Sequence, residues 1–205
     1  MSGSGSRSGT GLLRGRAVVV LACLVLAGCA GDGRTGTPEV AGGAATDWRN
    51  TTYTLTCDGV VPAGLRAEVT DGAARVSGDV GRPPHYEYYD VHVRATATGD
   101  VDGDGASDAV VLLECSPQPS NGILQEVEVL SSTGELLGTL PSPRSLQGDA
   151  LLPPEYDPAG LAVRDGEIVA AMAAYGPGDF HASGPSVPFT VRWRFDGEGF
   201  VPISP

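Results

Sequence analysis

From residue 52 onward, apolar positions along the chain recur with a period of two. Tyr53, Leu55 and Cys57 alternate with Thr52, Thr54 and Thr56, the pattern of a strand with one face inward and one toward solvent. Leu65, Ala67 and Val69 repeat it before Asp71-Gly72, and Ala74 and Val76 follow. An Asp-Gly pair between alternating runs predicts a hairpin. Val91, Val93, Ala95 and Ala97 alternate with His92, Arg94, Thr96 and Thr98 in a half-buried strand. Residues 109–113 are apolar without interruption and lead into Cys115, which predicts a central strand covered on both faces.

Beyond this run Ile123, Gln125, Val127 and Val129 alternate with Glu126 and Glu128, which places both glutamates on a solvated face. Ser132-Thr133-Gly134 then turns the chain into a return strand around Leu136 and Leu137. Residues 141–158 are Pro-rich and weakly patterned, as in a long loop or lid, and precede 161–164, an Asp165-Gly166 turn and 167–175. The Ala-rich segment 168–174 is short and follows Asp-Gly, which favours a strand over a helix. After a second loop over 176–188, Phe189, Val191, Trp193 and Phe195 share one face, with Thr190, Arg192 and Arg194 on the other. No segment carries a helical period. The expected fold is mostly β, an antiparallel sandwich or a propeller-like sheet fragment.

The N-terminus follows different rules. Arg7, Arg14 and Arg16 precede an apolar run, 17–27, that is too short to span a bilayer and reads as an export signal. The run closes on Leu26-Ala27-Gly28-Cys29, which resembles the lipobox of bacterial lipoproteins at all four positions. That resemblance implies removal of residues 1–28, diacylglyceryl transfer to the Cys29 sulfur, and anchoring at the extracytoplasmic face of the cell membrane. Two acyl chains give stable attachment where one is marginal. The alternative is an ordinary cleaved signal that happens to contain Cys29. Residues 30–45 are rich in Gly, Ala and Thr and read as a flexible tether. The organisation is therefore a signal peptide over 1–28, a lipidated cysteine and tether over 29–46, and one β-rich domain over 47–205.

With Cys23 lost in the signal and Cys29 lipidated, Cys57 and Cys115 are the remaining pair, and outside the cytoplasm they are expected to form a disulfide. The alternatives are two buried thiols or a metal pair, although no further soft ligand stands at zinc spacing. The net charge is −12; removing the three arginines of the signal leaves about −15, which repels nucleic-acid phosphates and anionic headgroups. It also favours bound cations. All thirteen basic residues are arginine, a bias typical of high-GC codon usage rather than of a mechanism.

One segment has metal-ligand spacing: Asp100-Val101-Asp102-Gly103-Asp104-Gly105-Ala106-Ser107-Asp108. Calcium takes six to eight oxygens at about 2.3–2.6 Å, and a curled loop can supply Asp100, Asp102, Asp104, the Ala106 carbonyl and Asp108. Gly105 permits the bend. Position twelve is Val111, where an EF-hand requires a bidentate Glu, so the loop is not an EF-hand. Followed at once by Ala109-Val110-Val111-Leu112, it resembles the Asp-rich calcium loops of FG-GAP and related β-propeller repeats. The resemblance implies a structural extracellular Ca²⁺ site with Asp100, Asp102, Asp104 and Asp108 as side-chain ligands. The competing reading is an acidic turn without an ion. As a whole, the layout is similar to that of small actinobacterial envelope lipoproteins.

Nucleophile signatures are absent: there is no G-x-S-x-G, and pairing removes the thiols. His85, His92 and His181 are too dispersed to suggest a metal triad and read as surface residues. Tyr86, Tyr88 and Tyr89 with Trp48 can line a glycan or protein surface, or belong to core and rim. The expected function is a non-enzymatic, membrane-anchored binding or scaffold role toward an envelope protein or glycan, without nucleic acid. The alternative is a cell-surface hydrolase or glycan-modifying enzyme using carboxylates such as Glu126 and Glu128.

Overall fold

The computed structural model describes residues 46–83 and 85–203. The expected signal peptide, Cys29 and nearly all of the expected tether fall outside these residues. Eleven strands form three antiparallel sheets. β1 (Thr52–Leu55) and β2 (Leu65–Glu68) make a two-stranded ribbon. β3 (Ala73–Ser77), β4 (Tyr88–Gly99), β5 (Asp108–Gln118), β6 (Leu124–Leu130) and β7 (Leu136–Thr139) form a five-stranded sheet in chain order. β8 (Glu155–Arg164), β9 (Glu167–Ala174), β10 (Val187–Phe195) and β11 (Phe200–Pro202) form a four-stranded sheet, also in chain order. A 3₁₀ turn at Pro143–Leu146 is the one helical element among the described residues, and none of their helices is long and apolar enough to cross a membrane. The architecture is an antiparallel β sandwich, mostly β as expected.

Alternation along the strands divides the interior into two cores. On β5, Ala109, Val111, Leu113 and Cys115 join Tyr53, Leu55, Leu65 and Ala67 of the ribbon in one core. Val110 and Leu112 join Ile168, Ala170, Met172 and Trp193 of the four-stranded sheet in the other. The unbroken run 109–113 is thus buried on both faces, and the 168–174 segment is a strand rather than a helix. Trp193, 1 % exposed, anchors the second core against Tyr156 at a ring separation of 6.2 Å.

Two expectations are corrected. Asp71-Gly72 does make a tight turn, with Thr70 and Ala73 exchanging hydrogen bonds of 3.0 and 3.1 Å, but the flanking strands do not pair as a hairpin. β2 pairs with β1, and β3 with β4. The cause is visible at Gly72, whose N–H donates to the Arg49 carbonyl at 2.8 Å while its own carbonyl accepts from Val93 N–H at 2.9 Å. Held from both sides, the turn hands the chain from ribbon to sheet.

The second correction concerns Glu126 and Glu128. Alternation does separate them from Val127 and Val129, yet their face is not solvated: Glu126 is 9 % and Glu128 3 % exposed. The β1 end of the ribbon covers them. The Glu126 carboxylate accepts from Thr56 N–H and Oγ1 and from Asp58 N–H at 2.7–3.2 Å. It thereby fixes the turn that carries Cys57, whose disulfide to Cys115 on β5 spans a Cα separation of 5.5 Å.

A candidate metal centre

β4 ends at Gly99, paired with Asp108 at the start of β5, so residues 100–107 are the connection across this antiparallel pair. Val101 tethers the loop from within, its side chain lying in the second core. Gly103 and Gly105 have φ of +83° and +86°, the left-handed region that side chains rarely enter. These two residues let the loop curl back on its own carboxylates. Asp100 Oδ1 and Oδ2 accept from the N–H groups of Gly103 at 2.7 Å and Gly105 at 3.1 Å. Asp108 Oδ2 accepts from Val101 N–H at 2.8 Å and, more weakly, from Asp102 N–H at 3.4 Å.

The outcome is convergence of Asp100, Asp102 and Asp108, with one carboxylate oxygen of each within 4.8 Å of the others. Like charges at that spacing repel one another, and a bound cation would relieve the repulsion. Asp108 is the decisive member. It is 1 % exposed, and its Oδ1 is buried without any hydrogen-bond partner. A buried acceptor left unmatched costs about 1–3 kcal/mol, and its carboxyl group belongs to a cluster of hard oxygen donors, the chemistry that suits a divalent cation. The arrangement can therefore hold a metal ion.

Of the residues singled out in the sequence, the structure brings together Asp100, Asp102 and Asp108. Asp104 stands apart from this group, its Oδ1 accepting from Ala106 N–H at 2.7 Å. A cleft of about 510 Å³ borders the loop, lined also by Asp165 and Arg194 from the neighbouring sheet; sequence spacing gave no signal for either. The other candidates are dispersed. His85 is exposed with Nδ1 2.7 Å from the Val80 carbonyl, His92 is paired across the sheet with Glu114, and His181 lies on the loop before β10. Trp48 and Tyr86 pack on the first core, Tyr89 is inside it, and Tyr88 lies under the Arg75 guanidinium at 4.2 Å. These aromatics are core and rim.

Glu128 is buried on β6. Burial, and secondarily the charge of Glu126, push its carboxyl pKa up to about 8, and its Oε1 has no partner. Glu126 borders a small cleft with Asp58 and Tyr156, but Glu128 does not line it. No protein-family model matches the chain, and no curated protein or solved structure matches it.

Proposed function

We propose that the protein is a non-enzymatic lipoprotein, anchored through Cys29 at the extracytoplasmic face of the cell membrane, whose β domain is stabilised by Ca²⁺ and serves a binding or scaffold role in the envelope. The observation that carries the metal reading is Asp108, a buried carboxylate with an unmatched oxygen inside a three-carboxylate cluster. All-oxygen ligation favours Ca²⁺ over softer ions, and a site outside the cytoplasm works at affinities of about 10⁻⁴–10⁻³ M. When bound, the ion neutralises the cluster and ties the β4–β5 connection together. The lipobox-like Leu26-Ala27-Gly28-Cys29 supports the address. Against the hydrolase alternative, the Glu126 carboxylate already accepts hydrogen bonds from Thr56 and Asp58, and Glu128 does not line the cleft that Glu126 borders.

Calcium at about 10 mM is expected to raise the melting temperature of the full chain in detergent by roughly 3–8 °C. Asp102→Ala should abolish that rise, and Asp104→Ala should keep most of it, since only the former removes a member of the cluster. An unchanged melting temperature in the parent would sink the metal reading. Separately, Cys29→Ala is expected to move the protein from the membrane fraction to the soluble one. Retention on membranes by the unlipidated variant would overturn the anchor.

A further inference from the structure

Away from the acidic loop, two clefts of about 200 and 600 Å³ meet between the 3₁₀-turn segment and the loop after β9, sharing Leu151, Leu152, Tyr175 and His181 as walls. The combined size is that of a small-molecule site. Its lips are Phe180, 72 % exposed, and Leu151, 91 % exposed, large apolar side chains that gain from being covered. Its polar centre is built on the sheet. Glu155 opens β8 and pairs with Ala173 of β9; two residues further on, the Tyr175 hydroxyl donates to Glu155 Oε1 at 2.6 Å. Glu155 Oε2 has no hydrogen-bond partner among the described residues.

Carboxylates outnumber basic side chains around this centre, where His181 and Arg144 are the basic groups in the walls. Asp149 and Asp179 line the clefts with Glu155. Asp179 is held ionised below the usual carboxylate range by Gly176 N–H and by Ser186. Arg144 is the only arginine in the walls, and its Nε donates to Asp58 at 2.8 Å, so its charge is already met. An anionic ligand would face three carboxylates, and a neutral apolar one would cover Glu155 while leaving an acceptor unmatched. We propose that the groove binds an organic ammonium ion, its apolar body against Phe180 and Leu151 and its N–H groups donating to Glu155. Tyr175 is a positioning residue, orienting the carboxylate.

The proposal is independent of the metal reading and is tested with two probes of similar shape and opposite charge, 2-phenylethylammonium and 3-phenylpropionate, titrated calorimetrically into the full-length protein in detergent. The ammonium is expected to bind at least about tenfold more tightly, the scale of a charge-assisted hydrogen bond. Glu155→Gln should remove that preference while the protein retains its far-UV circular dichroism, and Phe180→Ala should weaken the ammonium by about threefold or more without removing its preference over the carboxylate, because the apolar cover serves the phenyl group that both probes share. Equal affinity for the two probes, binding of neither, or an unaltered preference in Glu155→Gln overturns the proposal.

Discussion

Replacing Cys57 and Cys115 together by alanine is expected to lower the free energy of unfolding by about 4 kcal/mol, the entropy of closing a loop across a sequence separation of 58 in the unfolded chain. The structure adds to that figure rather than reducing it. Both sulfurs are buried in the first core, so their removal also leaves a small void. Guanidinium unfolding of the parent and the double variant, compared at constant pH, measures the difference. A loss below about 1 kcal/mol would show that the ribbon is held to the central sheet by the Glu126 hydrogen bonds and apolar contact alone. Reduction of the parent keeps both sulfurs and should reproduce only the part due to the bridge, which separates it from the loss of side-chain volume.

The second large effect concerns pH. The Glu128 carboxyl has a folded pKa pushed up to about 8 against an ordinary 4.5, first by burial and then by Glu126. Between those values the folded chain keeps a proton that the unfolded chain has released, so stability falls as pH rises through the window and levels off above it. The slope approaches about 1.4 kcal/mol per pH unit. The groups facing Glu128 reinforce this direction: Glu126 adds like charge, and Tyr53, whose hydroxyl is itself pushed up by burial and by Glu128, offers no cation. Glu128→Gln replaces the carboxyl by a neutral group of the same shape. It is expected to match the parent near pH 4 and to exceed its stability by a few kcal/mol at pH 8. Parallel stability curves for the two proteins would refute the assignment.

Much of this fold was legible from period alone. Residues 109–113 announced a doubly covered strand, Trp193 and its neighbours an amphipathic one, and the two remaining cysteines a bridge. What alternation cannot specify is which layer covers a face. Glu126 and Glu128 sit on the polar-looking side of β6, yet Leu124 and Leu130 share their parity and pack with the first core. Those flanking leucines were the available sign that a second layer lay above the glutamates. The Asp71-Gly72 turn was legible as a turn, but its strands part because Arg49 and Val93 claim Gly72, contacts distant in sequence. At the acidic loop, spacing identified the carboxylates as a set. Only backbone curvature, with Gly103 and Gly105 left-handed, decides that Asp108 joins Asp100 and Asp102 while Asp104 caps Ala106. The ammonium groove had no local signature, because it is assembled from two loops and the ends of two strands.

Strand β5 raises a question of alignment. A one-residue slip normally turns apolar side chains to water and is punished at once. With Ala109 to Leu113 apolar on both sides and both sides buried, such a slip would exchange one core's residues for the other's and expose none of them. Greasiness therefore cannot index this strand. Its index marks lie at the two ends of the run: Asp108, which must meet Val101 N–H, and Cys115, which must meet Cys57. The carboxylate offered to a cation and the sulfur offered to a bridge thus also serve as the notches by which the centre of the molecule finds its place.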